Sequence, residues 1–147
     1  MPEYEARPAL ESESAQIKEL IHLAGINPMG LDWRRFLVAV EGSGRVIGCG
    51  QVKPHGAGIL ELASIAVPPD YRGRGIARRI IEGLLANHPR PLYLMCMEHN
   101  GPMYEKFGFR SIDYDEMPKY FRRMRRMFDA AKIVRRIDEG LLIMKLE

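Results

Sequence analysis

Residues Ser64-Ile65-Ala66-Val67-Pro68-Pro69-Asp70-Tyr71-Arg72-Gly73-Arg74-Gly75-Ile76-Ala77-Arg78 run an apolar strand into a glycine-rich basic loop and directly into a helix. Such a junction binds anions. The first N–H groups of a helix have no intrahelical acceptor and the helix dipole is positive at that end, so backbone alone can grip a phosphate or pyrophosphate. Gly73 and Gly75 clear side chains from the approach, and Arg72, Arg74 and Arg78 add positive charge. No Gly-Lys-Ser/Thr tripeptide makes this a nucleotide P-loop, and Arg78 stands where a dinucleotide fingerprint needs its third glycine. The plainer alternative is a glycine turn that only links strand to helix, a role for which the arginines are not needed.

Arg72-Gly73-Arg74-Gly75-Ile76-Ala77 resembles the Arg/Gln-x-x-Gly-x-Gly/Ala motif of the GNAT superfamily of acetyl-CoA-dependent N-acetyltransferases, with Arg72, Gly75 and Ala77 in the defining positions. Ile65-Ala66-Val67 resembles the strand before that loop, and Met103-Tyr104-Glu105-Lys106-Phe107-Gly108-Phe109 resembles a second family motif, a Tyr-Glu-Lys-x-Gly-Phe helix end. The resemblance covers Phe36 to Ile112 well, the segment before it loosely and the segment from Pro118 onward poorly. It implies a mixed α/β (α+β) fold, a mostly antiparallel sheet with a V-shaped central splay flanked by helices, to which this chain adds an extra basic helix before the last strand, where most family members have a short connection. It implies acetyl-CoA as cosubstrate and no metal. The amides of Arg72, Gly73, Arg74, Gly75, Ile76 and Ala77 would hold the coenzyme pyrophosphate, and the strand Ile65-Ala66-Val67 would offer the backbone of Ile65 and Val67 to the pantetheine arm. An amine would then attack the thioester directly, with the Val67 N–H on the developing oxyanion and no covalent enzyme intermediate.

Two proton transfers remain, because an alkyl amine with a pKa near about 10 is mostly protonated at neutral pH and the departing thiolate needs a proton. Tyr104 holds the motif position that in the family serves the coenzyme sulfur; its alternative is an aromatic packing residue. For the base, the resemblance points to Glu61, which two-residue alternation puts on one face with Ala63, Ile65 and Val67. A surface carboxylate at the strand's start, with water as the base, is the competing reading. Asn100 lies closer to Tyr104 than the family spacing allows, so it does not inherit the family asparagine's role. His22, His55, His88 and His99 show no ligand spacing with Cys49 or Cys96, and no metal site is expected.

The elements that must position these residues can be read from periodicity. Tyr4 to Ala9 reads as a strand and Glu13 to Ala24 as a helix; Phe36 to Val40 and Val46 to Val52 flank a hairpin turn; Ile59 to Val67 is the next strand. A helix over Gly75 to Asn87 places Ile76, Ala77, Ile80, Ile81, Leu84 and Leu85 on one stripe. Then follow a strand at Leu92 to Met97, a short helix from Pro102 to Phe107, extended chain at Phe109 to Ile112, and a long helix from Pro118 to Ile137 with Tyr120, Met124, Met127, Ala131 and Val134 inward. Leu141 to Leu146 closes as a strand, read as an edge through which a homodimer could pair.

At 147 residues, with 46% hydrophobic and 28% charged, the expectation is one domain over 1–147. No stretch approaches the roughly 18 consecutive apolar residues of a membrane span, and Met1-Pro2-Glu3-Tyr4-Glu5 does not read as a signal peptide, so the expected compartment is the cytoplasm. Cys49 and Cys96 sit in apolar strand-like settings and read as reduced thiols. Net charge is +3, but Pro118 to Arg136 holds Lys119, Arg122, Arg123, Arg125, Arg126, Lys132, Arg135 and Arg136 against Asp129 alone. Glu116-Met117-Pro118 shortly after the Gly-Phe pair is similar to amino-acid acetyltransferases of the N-acetylglutamate synthase type. That similarity implies an amino acid or other small amine as acceptor, with an arginine among Arg122, Arg123, Arg125 and Arg126 on its carboxylate. A peptide amine is the broader expectation, and a solvated helix face is the plain alternative. A different class also stands: an acyl-CoA-binding module whose basic helix meets nucleic acid or an acidic partner, although no nucleic-acid motif accompanies it.

Overall fold

The computed structural model describes residues 3–147; Met1 and Pro2, part of the segment read against a signal peptide, lie outside the described residues. Seven strands are hydrogen-bonded in the order β1-β2-β3-β4-β5-β7-β6. They are β1 (Tyr4–Pro8), β2 (Phe36–Glu41), β3 (Val46–Pro54), β4 (Leu60–Ala66), β5 (Leu92–Met97), β6 (Arg110–Ser111) and β7 (Leu141–Leu146). The helices are α1 (Ser14–Leu23), α2 (Ile76–Ala86), α3 (Gly101–Glu105) and α4 (Lys119–Arg135). Pairs β1–β2, β2–β3, β5–β7 and β6–β7 are antiparallel, whereas β4 runs parallel to β5, with Glu61 opposite Tyr93. The expected mixed, mostly antiparallel sheet with flanking helices is therefore the fold. Among the described residues no helix is long and apolar enough to cross a membrane.

The chain forms two compact units. The first runs up to Lys53 and resumes over Leu62–Pro89. In it, Ile17, Leu20 and Ile21 of α1 pack on Phe36, Val38 and Val40 of β2, with Cys49 and Ala66 completing the cluster. Helical spacing put these α1 residues on one stripe, and burial of that stripe against β2 fixes the helix. α2 lies against β3 at two glycines: a Cβ at Gly48 would come 2.6 Å from Ile76 Cγ2, and one at Gly50 would come 2.9 Å from Ile80 Cγ2. Gly48 and Gly50 thus set how closely the first turn of α2 approaches the sheet. In β4, Ser64 has φ 60, in the left-handed region. Its hydroxyl accepts from Gln51 Nε2 at 2.9 Å. A left-handed residue inside a strand breaks the pleat, so the alternation expected to carry one face from Glu61 through Ile65 does not run across Ser64.

The second unit comprises Pro54–Glu61 and Arg90–Glu147. Its core gathers Tyr93, Ile112, Met117, Phe121 and Ile143. Two expectations change here. β7 is paired on both sides, to β5 from Leu92↔Leu146 to Met97↔Leu141 and to β6 at Arg110↔Lys145, so it is not an edge for a second copy. α4 keeps only the start of the expected stripe inward: Phe121 is fully buried with Tyr120 packed beside it, whereas Met127 is 59% and Val134 83% exposed. Two apolar stripes overlap on this helix, and the ring of Phe121, stacked 5.2 Å from Tyr93, buries more apolar area than the Met127 and Val134 side chains of the expected one. Arg136, at φ 53, ends α4 in a left-handed cap.

β1 and the start of α1 are tied by charge. The Arg7 guanidinium donates to both Glu13 carboxylate oxygens at 2.9 and 2.7 Å, and the Leu10 amide donates to the same carboxylate at 2.8 Å. The bond from Arg7 holds the buried Glu13 carboxyl below its ordinary range. A carboxyl depressed in the folded state stabilises above its unfolded pKa of about 4.3 and loses that contribution as pH falls through the folded value. Glu13→Gln is expected to cost about 1–3 kcal/mol at neutral pH. In urea unfolding the gap to the parent should narrow below about pH 4; a gap that stays constant under acid would show that the charge contributes nothing.

Candidate active site

In the first unit, the chain leaves β4 at Ala66 and makes a 3-10 turn at Pro69–Tyr71. It then takes left-handed backbone at Gly73 (φ 78) and Gly75 (φ 76) before α2 begins at Ile76. Gly75 is the N-cap and brings no capping side chain. Arg79 is the first α2 residue whose amide finds a carbonyl, that of Gly75, so among the described residues the amides of Ile76, Ala77 and Arg78 have no acceptor. A Cβ built on Gly73 or Gly75 meets nothing within 4 Å. The expected anion grip is present as backbone geometry: donors converge at a helix start beside two residues that leave the approach clear.

The loop is braced from behind. The Tyr71 hydroxyl donates to the Glu41 carboxylate at the end of β2, which lowers the Glu41 carboxyl and raises the Tyr71 phenol from their ordinary ranges. The guanidinium groups of Arg45 and Arg74 lie 5.1 and 5.0 Å from the Tyr71 ring centroid. The three loop arginines accordingly do more holding than was expected of them. Arg74 also donates to the Asp70 carbonyl at 3.3 Å, Arg72 Nε donates to the Val67 carbonyl at 3.4 Å, and Arg78 pairs with Glu82 at 2.7 Å. Ala66 is buried beside Cys49, and its amide faces the Cys49 sulfur. Strand alternation then turns the amides of Ile65 and Val67 to the opposite edge of β4. Burial pushes the Cys49 thiol up to about 12, which leaves it an inert packing group.

In the second unit, Tyr104 sits on α3, half-buried, with its ring edge-on to Phe109 at 6.2 Å. Burial first, and Cys96 second, push its phenol up to about 12, so it carries its proton throughout the neutral range. Burial likewise raises Cys96, to about 11. Among the described residues, the Tyr104 hydroxyl donates to no protein group.

Glu61 is not a surface carboxylate. Its side chain is 4% exposed and lies 2.7 Å from His55 Nε2. His55 is stacked on Tyr120 with centroids 3.7 Å apart and meets Phe121 edge-on at 6.0 Å. With Nε2–H donated to the carboxylate, Nδ1 is left as a proton acceptor. Nothing in the helical or strand periodicity singled out His55, whereas Tyr120 stood on the stripe of α4 expected to face inward. The signal that could have found His55 is the short hairpin Pro54-His55-Gly56-Ala57-Gly58-Ile59, where the His55 amide donates to the Ile59 carbonyl and folds the histidine back beside Glu61. His99 is taken up by Glu139, which its backbone amide contacts at 2.6 Å. No group of three His, Cys, Asp or Glu among the described residues could hold a metal.

The sequence profile of the acetyltransferase (GNAT) domain matches residues 32–111, more than half of the chain. No curated protein matches the chain in sequence. A Mycobacterium tuberculosis protein in complex with CoA and NLQ has a similar structure, with a TM-score of 0.72, 24% identity, and 97% of this chain and 98% of that one covered. The N-acetylglutamate synthase of Neisseria gonorrhoeae, complexed with coenzyme A and N-acetyl-glutamate, gives 0.73 and 19% over all of this chain and 36% of that one. A chain of the NatC complex bound to Gag peptide and CoA gives 0.68 and 20% over 99% and 98%. At such identities the structural likeness speaks for the fold, and it is the profile match over the strand, glycine loop and Tyr104 helix that decides kinship: the chain belongs to the GNAT acetyltransferase family.

Proposed function

We propose that the chain works as a single acetyltransferase domain that moves an acetyl group from acetyl-CoA to a primary amine of a small molecule or peptide. The observation that carries this reading is the start of α2, where the amides of Ile76, Ala77 and Arg78 lack acceptors and the approach past Gly73 and Gly75 is clear. These features fit a pyrophosphate. Arg72, Gly73, Arg74, Gly75, Ile76 and Ala77 would hold it through backbone, and the edge amides of Ile65 and Val67 would hold the pantetheine arm, with Ala66 as the inward spacer between them. When bound, acetyl-CoA supplies an activated acetyl thioester. A cytoplasmic setting would supply that thioester and keep Cys49 and Cys96, both free, as thiols.

The chain's own groups then manage charge. The Val67 N–H is a fixed dipole for the carbonyl oxygen as negative charge develops on it. Tyr104, protonated through neutral pH, donates to the leaving sulfur. His55, oriented by Glu61, takes the proton of the attacking amine. Removal of that proton matters because an alkyl amine is neutral in only about one part in a thousand at pH 7.

Binding is tested by thermal unfolding. Acetyl-CoA at about 100 times its dissociation constant should stabilise the protein by roughly 2.7 kcal/mol. Gly75→Asp, which sets a carboxylate into the clear approach, should remove that shift while the circular dichroism spectrum is kept. An unmoved transition for the parent protein at millimolar acetyl-CoA would overturn the reading.

Tyr104→Phe tests the acid. Turnover should fall by about 100-fold or more, with the KM for acetyl-CoA within about twofold. Because the Tyr104 proton is held up to about 12, the parent's rate should climb as the amine deprotonates and show no alkaline decline through about pH 10. A decline centred near about pH 9 would assign the proton to another group.

A further inference from the structure

The first half of α4 and the turn before it border an open cavity of about 570 Å³ in the second unit. Lys119, Arg122, Arg123 and Arg126 line it together with His55 and Tyr120, and no carboxylate contributes to its wall. The cations stand three and four residues apart along one helix, a spacing at which like charges repel and destabilise. Their protein contacts orient them without neutralising them. Arg122 donates to the carbonyls of Tyr114 at 3.0 Å and Asp115 at 2.8 Å, Arg126 donates to the Tyr114 hydroxyl at 2.6 Å, and Arg123 lies 5.8 Å from the centroid of the Tyr120 ring. None of the four forms an ion pair among the described residues.

Acidic groups are at hand and are spent elsewhere. Glu116 and Glu147 both bind Arg110, and Asp129 pairs with Arg125. The four cations that line the cavity are thus left without a carboxylate among the described residues, in a place where guanidinium forks suit one and the aromatic faces of Tyr114 and Tyr120 lie against Arg122 and Arg123. The same cavity is lined by His55, which Glu61 orients and which is stacked on Tyr120. The molecule that places an anion against the arginines is thus the molecule whose amine meets His55.

We infer that the acceptor is an amine that also carries a free carboxylate, the chemistry of an amino acid, and that Lys119, Arg122, Arg123 and Arg126 bind that carboxylate. The inference rests on the acetyl-transfer reading for its amine and on the cavity for its anion.

The test compares free L-amino acids with their carboxamides in a thiol-release assay with acetyl-CoA. The best free acid should show a KM at least about tenfold below that of its amide. Arg123→Gln and Lys119→Gln, neither of which breaks a hydrogen bond within the protein, should erase most of that difference and leave the KM for acetyl-CoA within about twofold. Equal use of acids and amides would overturn the inference. So would variants that raise the KM for acetyl-CoA instead, since the cations would then serve the coenzyme's phosphates. If no amine releases thiol, the acetyl-transfer reading fails and thermal unfolding with the same free acids decides the cavity by itself. Stabilisation by an acid, absent in the Arg123→Gln, Lys119→Gln double variant, would uphold the anion site; no stabilisation of either protein would overturn it.

Discussion

Three amides at the head of α2 have no acceptor among the described residues, and the first unit is built around that fact. Leaving buried or half-buried donors unpaired costs free energy, so a helix start without a capping side chain must be held in place by something else. Here the holding is done from two sides. Gly48 and Gly50 let α2 settle against β3, with Ile76 and Ile80 above positions where any Cβ would collide. Tyr71, bonded to Glu41 and flanked by two guanidinium groups, pins the turn that delivers Gly73 and Gly75. The loop is thereby stiff before any ligand arrives, and the ordering entropy of the site is met in folding rather than in binding.

Positive charge is divided between two tasks. In the first unit Arg72, Arg74 and Arg78 are each engaged by a carbonyl, a ring or a carboxylate, and the glycine loop relies on main-chain donors. In the second unit Arg110 and Arg125 are neutralised, whereas in the α4 cavity Arg122, Arg123 and Arg126 meet neutral groups and Lys119 forms no ion pair among the described residues. An excess of positive charge in the sequence between Pro118 and Arg136 could mean a uniformly solvated helix. The partition of carboxylates argues otherwise, because Glu116, on the turn just before α4, pairs with Arg110 and not with the cations of the cavity.

What the sequence disclosed follows the range of the interactions involved. The glycine loop was legible because Gly73, Gly75 and the start of α2 are contiguous, and their backbone conformations depend on local sterics. Helices and strands followed from their periods. Four features were not legible, each for a physical reason. The place of β7 between β5 and β6 is a long-range pairing on which strand periodicity is silent. Serine does not advertise left-handed backbone as glycine does, so the break at Ser64 was hidden and the face argument for Glu61 failed with it. On α4, the stripe containing Met127 and Val134 and the one containing Phe121 both satisfy helical spacing, and only a partner surface chooses between them. His55 was missed because its importance lies in Glu61 across a hairpin, and histidine there resembles any loop residue.

The chemistry of the second unit depends on keeping two proton-bearing groups in different surroundings. Tyr104 gains its high affinity for a proton from burial, with Cys96 adding to it, and it has no carboxylate partner to draw the proton away. Glu61 is more deeply buried and lies 2.7 Å from His55 Nε2, so its carboxyl group serves to fix the imidazole rather than to meet solvent. An acid that never ionises near neutral pH and an imidazole held ready by a buried carboxylate cannot exchange roles without rebuilding the shells around them. Under the proposed reaction, direction is therefore built into the fold: Tyr104 would give a proton and His55 would receive one, and an acceptor at His55 would meet the cations of α4 that line the same cavity.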